Sequence, residues 1–260
     1  MEHNDQLLAL CVGNTRTRAG LFHNQELAHV VVFPSRDPAE ARTALARLLA
    51  DHRAQPTVVM ASVNDPDAAT IGQIASEVAG SPHIGRIGRD VPIPLQYELD
   101  DGSTVGQDRW LNALAAYNRT KQACVVIDIG TAITIDFIDG AGVFRGGVIA
   151  PGLNMMLDAL HRGTAALPAI AFTMPEIERG TLGRDTAHAM QLGVLAAARG
   201  LVRVQLEACA EVYGAYPQVI ATGGDMAVLE ADGFVEHFVP DLQLLGVSAC
   251  VAALAADAES

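Results

Sequence analysis

The chain has 260 residues, 50% of them hydrophobic and 18% charged, which suits one large or two moderate globular domains and excludes wholesale disorder. Its formal net charge is −13 with only 17 Lys and Arg, so no segment offers the basic patch that nucleic acid or an anionic membrane surface requires. Four separated cysteines without a C-x-x-C pair, and eight histidines without ligand spacing, point to reduced thiols and not to disulfides or zinc.

An acidic, polar N-terminus and the lack of a long apolar run predict a cytoplasmic protein with no membrane partner. Ala, Val, Leu and Ile dominate while aromatics are 5%, the composition of Ala-rich helices on Val/Ile-rich strands, hence an α/β fold. Leu7–Val12 is predicted as a strand ending in G-N-T, followed by strands at Ala19–Phe22 and Leu27–Phe33 around a turn at His23 to Gln25. Asp37–His52 has helical apolar spacing at Ala41, Leu45, Leu48 and Leu49, with Ser35 or Asp37 as caps. A strand at Thr57–Val63 and a helix at Ala68–Ala79 come next. Ser81–Gly106, rich in Pro, Gly and Asp, reads as irregular, and Asp108–Arg119 as a helix.

The pattern then restarts. Ala123–Ile129 is an apolar strand ending in a glycine turn, with hairpin partners at Ala132–Ile138 and Val143–Ile149. Helices at Leu153–Arg162 and Thr186–Tyr213, a strand at Gln218–Thr222, a helix near Ala227–Ala231 and a closing helix at Val247–Ala256 complete the chain. Placing "LCVGNTRTRAGLF" under "IDIGTAITIDFID" sets Cys11 under Asp128, Gly13 under Gly130, Asn14 under Thr131 and Thr17 under Thr134. This predicts a duplication with halves at 1–118 and 119–260.

A strand followed by x-G-[NT]-T suits a phosphate, because glycine admits an oxyanion to successive backbone N–H groups and the hydroxyls add donors. Such turns also end ordinary hairpins. Two in matching positions, with a third glycine turn at Gly223–Asp225, favour a phosphate chain held between two lobes. "VGQDRWLNA" opens a helix with Asp108 and Arg109 in its first turn. An aspartate there also simply complements the helix dipole. Its sharper reading is a base for an attacking hydroxyl, with Arg109 gripping an anionic group.

"DIGTAITID", "GQDR", "GGVIAPG…TAALP", "GRDTAHAMQLG" and "ATGGD", in this order, resemble the type III pantothenate kinases of the acetate kinase, sugar kinase, heat-shock chaperone and actin superfamily. The resemblance runs on to "VPDLQLLG" near the end. It implies two ribonuclease-H-like lobes of mixed sheets flanked by helices around a cleft, and a homodimer. The implied reaction is ATP-dependent phosphorylation of pantothenate, the first step of coenzyme A synthesis. Carried over by position, Asp108 is the base, and Gly106, Gln107, Asp108 and Arg109 contact pantothenate together with Thr186 and Tyr97. Cys11, Val12, Gly13, Asn14, Thr15, Arg16, Thr17 and Arg18 form the first ATP loop. Thr131 touches ATP, and Asp128 holds a monovalent cation, potassium or ammonium. Mg²⁺ is expected with the nucleotide.

One position departs from the family. Its first loop reads D-x-G-N-T, and here Cys11 stands where the carboxylate belongs. A thiol is a poor ligand for a hard, oxygen-seeking cation. The family's lysine at the end of the loop is replaced by Arg18, which keeps the charge and changes its geometry. Two readings stay open: an active kinase that positions Mg²⁺ through other oxygens, or an impaired homologue that binds nucleotide or pantothenate in a regulatory role. A sugar kinase or polyphosphatase would leave G-Q-D-R and the T-A-x-L-P exit unexplained.

Overall fold

The computed structural model describes residues 6–50 and 55–259. The end of the helix expected to reach His52, and Ser260 of the acidic tail, lie outside them. In chain order come strands β1 (Gln6–Val12), β2 (Arg16–His23) and β3 (Glu26–Pro34), then helix α1 (Pro38–Leu49). Strand β4 (Thr57–Ser62), helix α2 (Asp65–Ala79), strands β5 (Ile84–Arg86) and β6 (Gln96–Tyr97), and helix α3 (Gln107–Thr120) follow. The second run has β7 (Cys124–Ile129), β8 (Ala132–Ile138), β9 (Val143–Pro151), α4 (Leu153–Arg162) and α5 (Thr186–Tyr213). It ends with β10 (Gln218–Thr222), β11 (His237–Phe238) and α6 (Leu242–Glu259).

The chain forms two compact units. One takes the chain up to Gln96, then Asp100–Asn118 and the residues from Asp241 on; the other takes Tyr97–Leu99 and Arg119–Pro240. The last helix therefore packs with the first unit, although the repeat in the sequence groups it with the second half.

In the first unit the strand order is β3-β2-β1-β4-β5. Strand β1 is apolar along its length because it is covered on both faces. Leu8, Leu10 and Val12 pack with Leu45 of α1 and Ile71 of α2. Leu7, Ala9 and Cys11 face the other way, onto Leu111 and Leu114 of α3 and Leu244 and Val247 of α6. Helix α6 starts at Leu242, five residues before the start read from the sequence, and so takes Gly246 into its interior. A glycine mid-helix costs stability, but here it admits α3: a Cβ at Gly246 would lie 2.3 Å from the Leu111 carbonyl oxygen. Gly246→Ala is expected to lower the unfolding free energy by about 1–3 kcal/mol, read from urea denaturation; an unchanged midpoint would mean that the two helices separate without cost.

The second sheet has the order β11-β10-β7-β8-β9-β6. Apart from the short edge strand β6, it repeats the first. In both, two antiparallel hairpins lead into the central strand, which pairs in parallel with the strand beyond it. The outer pairs β4–β5 and β10–β11 are parallel too. Val125, Ile127 and Ile129 of β7 pack onto Leu153 and Leu157 of α4 and Val194 and Ala198 of α5.

The register corrects the sequence match by one residue. The first ladder closes at Val12↔Thr17 and the second at Ile129↔Ile133, so the first turn is one residue longer. Cys11 faces Arg18 as Asp128 faces Thr134. Thr134 thus corresponds to Arg18, not to Thr17, and the hydroxyl shared in the alignment is fortuitous. Two further expectations shift. Within Ser81–Gly106 the chain adds edge strands β5 and β6, and the helix near Ala227–Ala231 is a 3-10 segment, Met226–Asp232.

Candidate active site

In the first unit, the turn after β1 is tied from behind. The Gly13 N–H donates to the Arg16 carbonyl at 3.1 Å, and the Ser35 hydroxyl donates to the Gly13 carbonyl at 2.9 Å. The Ser35 oxygen also lies 2.9 Å from the Thr17 hydroxyl, and the Ser35 N–H donates to the Thr15 carbonyl at 3.1 Å. Thr17 is buried, so its side chain braces the turn and does not present a donor outward. Cys11 and Val12 are buried as well. Of the expected ATP loop, only Asn14, Thr15 and Arg16 are exposed, with Gly13 and Arg18 half-buried. Ser35 went unnoticed in this role because it acts from 18 residues beyond Thr17.

Cys11 is held neutral. Burial pushes its thiol far up from the ordinary range; Arg18 opposes this, and Asp108 and Asp241 reinforce it. The Arg18 guanidinium lies 2.8 Å from Asp241 Oδ1, just ahead of α6. Asp241 is a site residue that the sequence reading missed, since a helix begun at Val247 leaves it in a loop. Cys11, Arg18, Asp108 and Asp241 form one electrostatic cluster in which no carboxylate comes from β1.

Helix α3 begins beside this cluster. A Cβ on Gly106 would meet Asp108 Oδ1 at 2.4 Å, so a side chain there would push the Asp108 carboxylate aside. That oxygen accepts from the Arg109 N–H at 2.9 Å, and Asp108 itself is half-buried. Gln107, expected at the substrate, has its amide turned inward: its Oε1 accepts from the Ser62 N–H at 3.1 Å and its Nε2 donates to the Ile87 carbonyl at 2.9 Å. It borders a cavity of about 370 Å³ also lined by Ser62, Asp65, Arg86 and Arg89.

In the second unit three glycine turns meet through their backbones. A Cβ on Gly152 would lie 2.1 Å from the Gly130 carbonyl oxygen, and one on Gly223 would lie 2.3 Å from that of Ile129. Gly223 has φ +93°, a conformation glycine adopts without strain. The Gly152 N–H donates to the Thr131 carbonyl at 3.1 Å, and the Asp225 N–H to that of Ile129 at 2.9 Å. Asp128 Oδ1 lies against this junction, 2.5 Å from where a Gly223 Cβ would stand. Thr131 is exposed at the turn.

Oxygen is what this junction offers: one carboxylate and several backbone carbonyls, with glycine wherever a side chain would intrude. That chemistry fits a hard cation taking oxygen ligands. The first turn does not fit Mg²⁺ through residue 11, because the thiol there is buried and protonated. Among the described residues, no three His, Cys, Asp or Glu side chains are grouped as a metal site.

Thr186 opens α5, exposed beside its cap Asp185. The Asp185 carboxylate accepts from the His188 N–H at 2.8 Å. That bond, then the Arg179 guanidinium, hold its pKa below the usual carboxylate range. Tyr97 lies on edge strand β6, 54% exposed. Both belong to the second unit, on elements separate from the Asp128 turn.

A doubled β-β-β-α-β topology with glycine turns after each central strand places the chain among the actin-like ATPase and sugar kinase folds. The activator of 2-hydroxyisocaproyl-CoA dehydratase from Clostridium difficile, solved with bound ADPNP, matches with TM-score 0.53 at 12% identity, over 98% of each chain. Component A of the (R)-2-hydroxyglutaryl-CoA dehydratase of Acidaminococcus fermentans matches with TM-score 0.54 at 14% identity, over 98% of this chain and 99% of that one. At these identities the likeness is one of fold.

The chain belongs to the type III pantothenate kinase family, whose model matches residues 7–208. It is 40% identical over 163 residues to the type III pantothenate kinase of Ruegeria pomeroyi, the aligned stretch covering 61% of each chain. With that of Anaeromyxobacter sp. strain K it shares 34% over 226 residues, or 84% of this chain and 87% of the relative. The family's reaction is ATP-dependent phosphorylation of pantothenate in coenzyme A biosynthesis. Among the described residues no helix is long and apolar enough to cross a membrane.

Proposed function

We propose that this chain transfers the γ-phosphoryl group of ATP to the primary hydroxyl of pantothenate, with Asp108 as the general base. The observation that carries the reading is the Asp108 carboxylate. It sits half-buried in the first turn of α3, and its one hydrogen bond among the described residues comes from the Arg109 N–H. As the new O–P bond forms and ADP leaves, Asp108 takes the hydroxyl proton. Arg109 offers a cation to an anionic group of the substrate, and Gly106 keeps the approach clear. Thr186 and Tyr97 are proposed as further pantothenate contacts. The Gly13 and Gly130 N–H groups are bonded to the Arg16 and Ala132 carbonyls, so exposed Asn14 in the first turn and Thr131 in the second would receive phosphate oxygens.

A monovalent cation bound at Asp128 would neutralise phosphate charge there. Potassium or ammonium in place of sodium is expected to raise kcat severalfold, and indifference to the cation would count against the Asp128 assignment. Mg²⁺ accompanying ATP would rest on oxygens other than residue 11. The same reading carries a homodimer, a cytoplasmic location and a duplication origin for halves 1–118 and 119–260.

The test is pantothenate-dependent ADP release, followed by identification of 4'-phosphopantothenate. Release that does not depend on pantothenate would overturn the reading. One observation favours a second possibility, an impaired homologue that binds nucleotide or pantothenate: the neutral thiol at Cys11. Tight pantothenate or ATP binding without turnover would establish it.

A further inference from the structure

We infer that Gln107 is a positioning residue that fixes Asp108 in place, and that its side chain does not bind substrate; this rests on the assignment of Asp108 as base. The amide is used from both ends. Its oxygen accepts from the Ser62 N–H at the end of β4, and its nitrogen donates to the Ile87 carbonyl just past β5. Only one orientation of the amide satisfies a donor and an acceptor at once, which sets the rotamer. Both partners are backbone atoms, at the end of β4 and just past β5, so α3 is tied at its first residue to two strands. Asp108 is the next residue.

The first turn of a helix is otherwise its least constrained part, with N–H groups that have no partner inside the helix. Here the Arg109 and Trp110 N–H groups both reach the Gly106 carbonyl, at 3.1 and 3.4 Å. That fold-back shapes the turn without attaching it to the sheet. Gln107 supplies the attachment. A side chain of this length with an acceptor and a donor on one head is required: glutamate would set a carboxylate oxygen against the Ile87 carbonyl, and methionine would leave both backbone groups unmatched. At Gly88 a Cβ would come 3.1 Å from Gln107 Nε2, so the turn after β5 is also shaped to admit this head group.

A small displacement of a catalytic group costs rate far more than it costs binding. Loss of the brace should therefore appear in kcat and not in KM. The test uses the full chain with Gln107→Met and Gln107→Glu. With both, kcat per folded molecule is expected to fall about tenfold while KM for pantothenate moves less than about threefold. Amide hydrogen exchange is expected to quicken across the first turn of α3 in both variants, and at Ser62 in Gln107→Met alone, which loses that acceptor, and not elsewhere. A tenfold rise in KM with kcat kept would make Gln107 a substrate contact and overturn the inference. So would unchanged kcat with unchanged exchange, or a lower melting temperature with kcat per folded molecule intact. Should Gln107→Met fail to fold, Gln107→Glu, which keeps the Ser62 bond, decides alone. If wild type shows no turnover, the proposed function fails. Exchange then decides the brace: local quickening upholds it and an unchanged pattern overturns it.

Discussion

Asp108→Asn is expected to lower kcat by about 10³-fold with little change in stability. Asparagine has the same shape, and its Oδ1 can still accept from the Arg109 N–H, so the first turn of α3 keeps its bond. What disappears is the ability to take a proton. Since that proton moves in the transition state and not on binding, KM for pantothenate should stay within a few-fold of wild type. Steady-state kinetics beside a thermal melt checks both halves. Full activity in the variant would remove Asp108 from the base role. A collapse of the melting transition would mean that the lost rate reports unfolding.

The second large effect is a gain. Cys11→Asp restores a carboxylate on β1 directly across the ladder from Arg18. Arg18 is already paired with Asp241 at 2.8 Å, so the guanidinium would be shared between two acids. Burying another negative charge near Asp108 and Asp241 opposes folding, while Arg18 offsets part of that cost. The variant should melt lower than wild type. It should also use MgATP better, with kcat/KM higher by up to about 10²-fold, the scale on which groups that orient a metal alter its binding or activity. Titration of activity against Mg²⁺ separates the two effects. Wild type silent and variant active would mark the natural chain as an impaired kinase. Equal turnover in both would place residue 11 outside the nucleotide site.

The halves of the fold were legible because each central strand is apolar and ends in a glycine turn, a pattern local to a dozen residues. Turn length was not. The alignment matched Thr17 with Thr134 by chemistry, whereas the ladder sets Arg18 opposite Cys11 and Thr134 opposite Asp128. Strands β5 and β6, three and two residues long, carry too little periodicity to stand out in a loop rich in Pro and Gly. At the site, G-Q-D-R marked the start of α3 correctly. The use made of Gln107 depends on Ser62 and Ile87, 45 and 20 residues away, and only the folded chain reveals it. Asp241 stayed hidden because Gly246 argues against a helix running through it. The packing of Gly246 on Leu111 outweighs that preference.

That same packing has a consequence for how the chain is made. Helix α6 covers Leu7, Ala9 and Cys11 of a strand synthesised more than two hundred residues before it. Until α6 is made, that face of β1 has only part of its cover, Ile87, Val91, Leu111 and Leu114, and lacks Leu244 and Val247. All the elements of the second compact unit emerge before the first can be completed. Of the two units, the one begun first is therefore the one finished later, and the Arg18–Asp241 pair closes only after the whole second unit has been made.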